Sequence, residues 1–345
     1  MKKFFKCLLL LLLSLNLFSC TTVKRYITYT VYPIGYLLDR IGQGKVETIT
    51  LQSNEMIQTA TIVDNYQEIL DDTSYFFHIG DLEPYLDLYK EEVEASEANI
   101  VDLSVLNAIY KFGRYTLVNV DGKESFIESP YYNGEVFNTI DTTKQDLCLW
   151  LDPIGMLSMA KDVYSVLSSN YVEQASFFKE NYEELESELI YLDVSYQNLA
   201  KKTKKANLSL KFVTMSASFG SWQKAYGFQV YPLCLSKYGA LPSNEELAII
   251  KQRIVADGVK YIVFEPNMSD DMVELFEQIE KELNLERITL SNLSSLTATQ
   301  IAENKDYMSI MYENLNVLEG VASAMLNEAN SGEVTTPETN SETTE

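Results

Sequence analysis

The chain has 345 residues, 46% of them hydrophobic and 22% charged, a globular composition that excludes collagen-like and wholly disordered chains. Its 27 Lys and Arg stand against 50 Asp and Glu, and the formal net charge of −23 repels phosphate backbones and leaves no basic stripe for nucleic acid. The single histidine, His78, excludes every mechanism that needs two imidazoles in one chain, including HExxH peptidases and His-rich zinc sites.

Residues 1–19 read as a secretory leader. Lys2, Lys3 and Lys6 form a positive n-region, and a leucine-rich stretch of h-region length follows. The leader closes on Leu17-Phe18-Ser19-Cys20, which resembles a bacterial lipobox, so Cys20 is expected to be lipidated and to become the first mature residue. Two acyl chains anchor a protein stably where one is marginal, which puts the mature chain outside the cell membrane and attached to it. Residues 20–28 are expected to be a tether. Beyond the leader, Cys148 and Cys234 are two thiols in an oxidising compartment, free or paired.

A strand is expected from Ile27, then a helix over Ile34–Ile41 that stops at Gly42 and Gly44. Val46–Leu51 and Tyr75–Ile79 read as short apolar strands with a helical Tyr66–Leu70 between them, and strands alternating with helices predict a parallel sheet covered on both faces. His78 lies in the second of these strands, where a histidine with one backbone partner is the simpler expectation than a catalytic base. Residues 120–146 are polar, acidic and turn-rich, the composition of a surface insertion. Phe178, Tyr182, Leu185, Leu189, Leu192, Tyr196 and Leu199 then alternate spacings of four and three, which puts them on one face of a long helix within 171–205.

The alternation restarts after Lys205, with strands at Leu208–Thr214, Phe228–Pro232, Tyr261–Phe264 and Arg287–Leu290. Ser243-Asn244-Glu245-Glu246 is a capping-box pattern, and Gly258 lies just past the end of the helix that it opens. A last helix is expected over 305–327. Residues 328–345 contain no aromatic, Leu or Ile, a composition expected to be disordered. The organisation is therefore a leader (1–19), a tether (20–28), an N-terminal α/β lobe (29–170), a linking helix (171–205), a C-terminal α/β lobe (206–327) and a tail (328–345). No GxxxxGK[ST], GxSxG or CxxC motif occurs, and two lobes on a lipid-anchored exterior chain favour ligand binding over catalysis.

Six phrases in series resemble the substrate-binding lipoproteins of zinc- and manganese-type ABC importers, a family that includes adhesin-like streptococcal surface lipoproteins. Val31-Tyr32-Pro33-Ile34 with Ile41-Gly42 is similar to the family's opening strand and helix, and Gly80-Asp81-Leu82-Glu83-Pro84-Tyr85-Leu86 to its G-x-x-L-E-P-W-L segment. Trp150-Leu151-Asp152-Pro153 matches H-x-W-L-D-P without its histidine, and Phe212 to Gly220 matches F-V-T-x-H-x-A-F-G. Tyr261 to Pro266 and Asp306 to Leu315 complete the set, so the likeness covers roughly residues 27–320. The resemblance implies two α/β lobes, each with a mainly parallel sheet flanked by helices, bridged by one long rigid helix. It also implies a divalent metal such as Zn2+ or Mn2+ as cargo, a membrane permease as partner and no catalytic cofactor.

Carried over position by position, the family's four metal ligands fall on Gln58, Cys148, Ser216 and Ser291, none of which is the family's histidine or carboxylate. Among these, the Cys148 thiolate is the one strong zinc donor, and the oxygens of the other three suit manganese better but bring no charge. Glu55 and Glu265 are carboxylates that are candidates to contribute a further donor, and a structural role is the simpler expectation for Glu265 at its strand end. Two functions follow: the solute-binding component of a metal-type importer, or a paralogue with the fold kept and metal binding lost, holding another ligand or a partner protein.

Overall fold

The computed structural model describes residues 25–53, 56–105, 110–111, 114–120, 123–129, 132, 134–138, 145–146 and 148–332. The leader with Cys20, the residue Glu55 and positions 333–345 of the tail lie outside the described residues.

The N-terminal lobe is built on β1 (Tyr26–Tyr29), α1 (Tyr32–Gly42), β2 (Glu47–Thr50), α2 (Tyr66–Asp71), β3 (Thr73–His78), α3 (Lys90–Ala95) and β4 (Asn99–Asp102). Its four strands are all parallel in the order β2-β1-β3-β4, as alternation with helices requires. β1 starts at Tyr26, inside the expected tether, because the backbone N–H groups of Arg25 and Tyr26 both donate to Asp72 O at 2.9 Å. In α1, Pro33 pre-sets the first turn, and Gly35 faces the Tyr29 ring so closely that a Cβ would lie 2.5 Å from it.

The stretch from 110 to 146, which begins before the surface insertion expected over 120–146, holds two antiparallel pairs. One joins β5 (Tyr110–Lys111) to β8 (Gln145–Asp146), and the other joins β6 (Arg114–Val120) to β7 (Lys123–Ser129). This stretch reaches the second lobe, where Tyr132 is buried in the core and its hydroxyl donates to Pro232 O at 3.1 Å. Phe137 packs against the same core and stacks on Tyr132, so the described part of this polar stretch is tied to the second lobe by two aromatics.

Asp152 caps α4 (Pro153–Asn170) by accepting from Ile154 N at 3.0 Å, and α4 packs along α5 (Ala175–Lys205). α5 has 31 residues, about 46 Å at 1.5 Å per residue. Six of the seven apolar residues expected on its inner face are buried, and Tyr182 is half-buried. It touches both lobes: Asn181 Nδ2 donates to Ile41 O at 2.9 Å in the first, and Tyr226 OH donates to Asp193 at 2.9 Å from the second.

The C-terminal lobe repeats the architecture with β9 (Lys211–Ser216), α6 (Gly220–Tyr226), β10 (Gln229–Cys234), α7 (Asn244–Ala256), β11 (Tyr261–Phe264), α8 (Asp270–Glu282), β12 (Glu286–Thr289), α9 (Ala298–Ala302) and α10 (Tyr307–Gly332). The strand order is β10-β9-β11-β12, again all parallel. The capping box forms at Ser243, which accepts from Glu246 N at 3.3 Å while Glu246 Oε2 accepts from Ser243 N at 2.6 Å. α10 continues to Gly332, so residues 328–332 of the expected disordered tail are helical, and Glu328 there pairs with Lys260 at 2.5 Å. Among the described residues no helix is long and apolar enough to cross a membrane.

Candidate functional site

In parallel sheets the loops that leave the carboxyl ends of the strands gather on one side, the usual place for a ligand. Here loops that leave those ends of the two sheets meet at the seam between the lobes, Asp87 after β3 lying against Lys237 after β10. Trp150, fully buried, is the main pin across it: its Nε1 donates to Asn292 O at 2.7 Å, and its own carbonyl accepts from Tyr307 OH at 2.5 Å.

Cys148 begins the short turn Leu149–Leu151 next to this tryptophan and is 6% exposed. Its backbone N–H donates to Asp146 Oδ1 at 3.0 Å, and its Sγ donates to Ser218 Oγ at 3.7 Å. Ser218 Oγ lies 2.8 Å from Ser216 Oγ at the end of β9, and Ser216 Oγ donates in turn to Glu265 Oε2. Glu265, one residue past β11, also accepts from Met215 N and Ser216 N at 2.8 Å on Oε1 and from Asn292 Nδ2 at 2.9 Å on Oε2. The result is one buried chain of bonds from Cys148 to Asn292, drawn from four separate segments.

Charge in this chain of bonds is held by neutral donors. Burial raises the Glu265 carboxyl, and the hydroxyl, amide and backbone donors around it oppose that rise. Burial pushes the Cys148 thiol well up, and the charges of Asp146 and Glu265 push in the same direction. Asp146 is itself raised to about 6 by burial, against the backbone N–H groups of Cys148 and Ser221. Through Ser221 N, 2.8 Å from its Oδ2, Asp146 ties the Cys148 segment to α6.

Of the four positions that the resemblance marks, Cys148 and Ser216 are brought together through Ser218. Ser291 is turned to local structure: its hydroxyl accepts from Leu293 N at 3.1 Å, and its backbone exchanges bonds with the Asn314 side chain at 2.9 Å. Gln58 stands against Gly239 in a loop of the other lobe. Ser218, Asn292 and Asp146 are not marked by the sequence. Ser218 sits inside a quoted motif, but nothing local distinguishes it as the link between Cys148 and Ser216. Glu265, expected as structural, is the hub of the cluster. Among the described residues no group of three His, Cys, Asp or Glu side chains is placed to hold a metal ion. His78 is occupied at its strand end, with Nδ1 3.1 Å from Gly80 O and its ring stacked on Phe76.

A second buried carboxyl lies at the carboxyl end of the N-terminal sheet. Glu83 is 1% exposed, and among the described residues neither of its oxygens nor the nearby Thr30 hydroxyl has a partner in good hydrogen-bond geometry. Burial therefore dominates and raises this carboxyl to about 8.

Comparison with known proteins agrees with this architecture. Treponema pallidum TroA, a periplasmic zinc-binding protein, superposes with a TM-score of 0.67 at 17% identity, over 87% of this chain and 99% of that one. The laminin-binding protein Lmb of Streptococcus agalactiae, described as having adhesin and metal-transporting activity, gives 0.67 at 17% identity over 86% and 99%. In sequence, the zinc-binding protein AdcA of Streptococcus pyogenes is 29% identical over 170 residues, which are 49% of this chain and 32% of AdcA, so the chain spans about a third of that relative's length. The family profile for the periplasmic zinc-uptake complex component A (ZnuA) matches residues 27–321. With nearly the whole described structure inside that match, the chain belongs to the ZnuA family of solute-binding proteins, which are binders and not enzymes.

Proposed function

We propose that the chain is the lipid-anchored, extracytoplasmic solute-binding component of a zinc- or manganese-type ABC importer, with a divalent cation as cargo and a membrane permease as docking partner. The observation that carries this reading is the buried cluster at the seam, where Cys148, in the turn before α4, meets Glu265 at the carboxyl end of the C-terminal sheet and brings two chargeable donors together. Ser216, Ser218 and Asn292 supply hydroxyl and amide oxygens beside them. A thiolate outcompetes such oxygens for zinc, so Cys148 is the donor that sets the preference for zinc over manganese. Its proton must leave as the cation arrives, so affinity rises with pH.

A second reading is favoured by one specific observation. Every oxygen of Glu265 is already engaged, and no three-ligand group exists among the described residues, as in a paralogue whose metal site has closed on itself. Metal analysis of the reduced mature protein by mass spectrometry, followed by calorimetry with Zn2+ and Mn2+, separates the two. Zinc binding is expected in the wild type, with a loss of at least roughly tenfold in Cys148→Ala and in Glu265→Gln, the size of one charged donor. Weak and identical isotherms in all three proteins leave the paralogue reading standing.

The anchor has its own test. Cys20→Ala is expected to move the protein from the membrane fraction to the soluble fraction, because the lipid is attached through that sulfur. Unchanged membrane partitioning of the variant removes the lipoprotein reading and leaves the cargo question untouched.

A further inference from the structure

Beside the seam, two loops of the N-terminal lobe grip one loop of the C-terminal lobe. The gripped loop leaves the carboxyl end of β10. In it, Lys237 Nζ lies 2.7 Å from Asp87 Oδ2, in the short turn Pro84–Asp87 that follows β3. Tyr238 OH donates to the same carboxylate oxygen at 3.2 Å. One residue on, Gly239 has φ +73°, and a Cβ there would lie 3.0 Å from Gln58 Cβ. That residue is glycine for two reasons, the left-handed backbone and the close approach of the other lobe. Met56, two residues before Gln58, is buried in the core of the C-terminal lobe together with Met272.

The electrostatics of this contact are those of a formed pair. Burial opposes the Lys237 charge, but the hydrogen bond and the negative charge of Asp87 outweigh it and raise the Lys237 pKa. The hydrogen bond from Lys237 is the main cause that holds Asp87 below the usual carboxylate range, with Tyr238 and Lys90 adding to it. The Lys237 side chain is 14% exposed and that of Asp87 is 47% exposed, so the pair is shielded from solvent on the lysine side alone, and two donors converge on one oxygen. Gln58, the position where the resemblance expects a cation ligand, is thus used for contact between the lobes.

We propose that Asp87 with Lys237 and Tyr238, together with Gln58 against Gly239, form a clamp that closes the two lobes without a cation. A cation held between two lobes pulls both toward itself, so a chain that depends on it opens when it leaves. Here the pulling groups belong to the chain. The clamp stands whether or not the cargo reading is right, and the test keeps the two apart.

Spin labels are placed on the mature full-length protein at Glu91→Cys and Glu245→Cys, exposed positions on α3 and α7, while the native Cys148 and Cys234 are buried. The label-to-label distance is expected to be narrow and identical with EDTA and with added Zn2+. Asp87→Lys sets two cations against each other and is expected to lengthen and broaden the distance, and adding Lys237→Asp to it should bring the narrow distribution back. Lys237→Met, with no repulsion, supplies the same reading if Asp87→Lys does not fold. Broadening of the wild-type distance by EDTA alone overturns the clamp, as does an unchanged distance in Asp87→Lys and Lys237→Met or a failure of the exchanged pair to restore it. Loss of zinc binding in calorimetry with the distance unchanged removes the cargo reading alone.

Discussion

Glu83→Gln raises the stability of the protein above pH 8 and leaves it nearly unchanged near pH 4. The folded-state carboxyl is pushed up to about 8, against about 4.5 for an ordinary glutamate, because burial outweighs the Thr30 hydroxyl and the backbone N–H that favour its charged form, and the charges of Asp102 and Asp81 add to the rise. A pKa raised in the folded state means that the folded protein binds more protons than the unfolded chain between those two values. The contribution of Glu83 is therefore fully present below about 4.5 and is lost progressively as pH rises to about 8. Each pH unit across that window corresponds to about 1.4 kcal/mol, so the loss is on the order of several kcal/mol. Glutamine has the same shape and no proton to lose, so the variant keeps what the wild type forfeits. Thermal unfolding of both proteins from pH 4 to pH 9 measures the difference directly. Parallel curves over that range would mean that Glu83 meets a donor that stabilises its charged form.

Leu189→Asp is the second large effect, and it tests the helix on which both lobes hang. Leu189 is fully buried in the middle of α5, among residues that belong to the largest core cluster. Truncation at such a site costs about 2–5 kcal/mol through lost transfer energy and the cavity left behind. An aspartate adds either an unpaired buried charge or the cost of protonating it, so Leu189→Asp is expected to fall below Leu189→Ala by roughly a further 1–3 kcal/mol. The neighbouring Ile190, about 100° round the helix, is 45% exposed, and Ile190→Asp is expected to stay within about 0.5 kcal/mol of wild type. Chemical denaturation of the four proteins reads the contrast. Equal losses at 189 and 190 would place this face of α5 in solvent.

How far the chain can be read without a structure differs from element to element. The inner face of α5 is legible because spacings of three and four are a local property, decided by the pitch of the helix alone. The same holds for the box at Ser243, where donor and acceptor are three residues apart. α4 is equally legible in principle. Met156, Met159, Ala160, Val163 and Leu167 carry the helical spacing and all are buried, behind an Asp-Pro start, in a stretch with no helix among the sequence expectations. β4 is not legible, since Asn99–Asp102 is short, has only Ile100 and Val101 as apolar residues and is only partly covered at the sheet edge.

By itself the sequence determined the alternation of strands and helices, the long bridging helix and the family motifs, because each is written in residues that lie close together along the chain. It also determined that the family's histidines are absent from the marked positions. Only the tertiary structure decided what replaced them. Cys148, Ser216, Ser218, Glu265 and Asn292 come from four segments spread over 145 residues, and they meet where the lobes close, with the turn before α4 packed on the carboxyl end of the C-terminal sheet. The same closure set Gln58 against Gly239 and Asp87 against Lys237. A parallel sheet joins strands through crossovers far longer than any local pattern, so which strand ends face each other is settled by packing the cores and not by the residues at those ends.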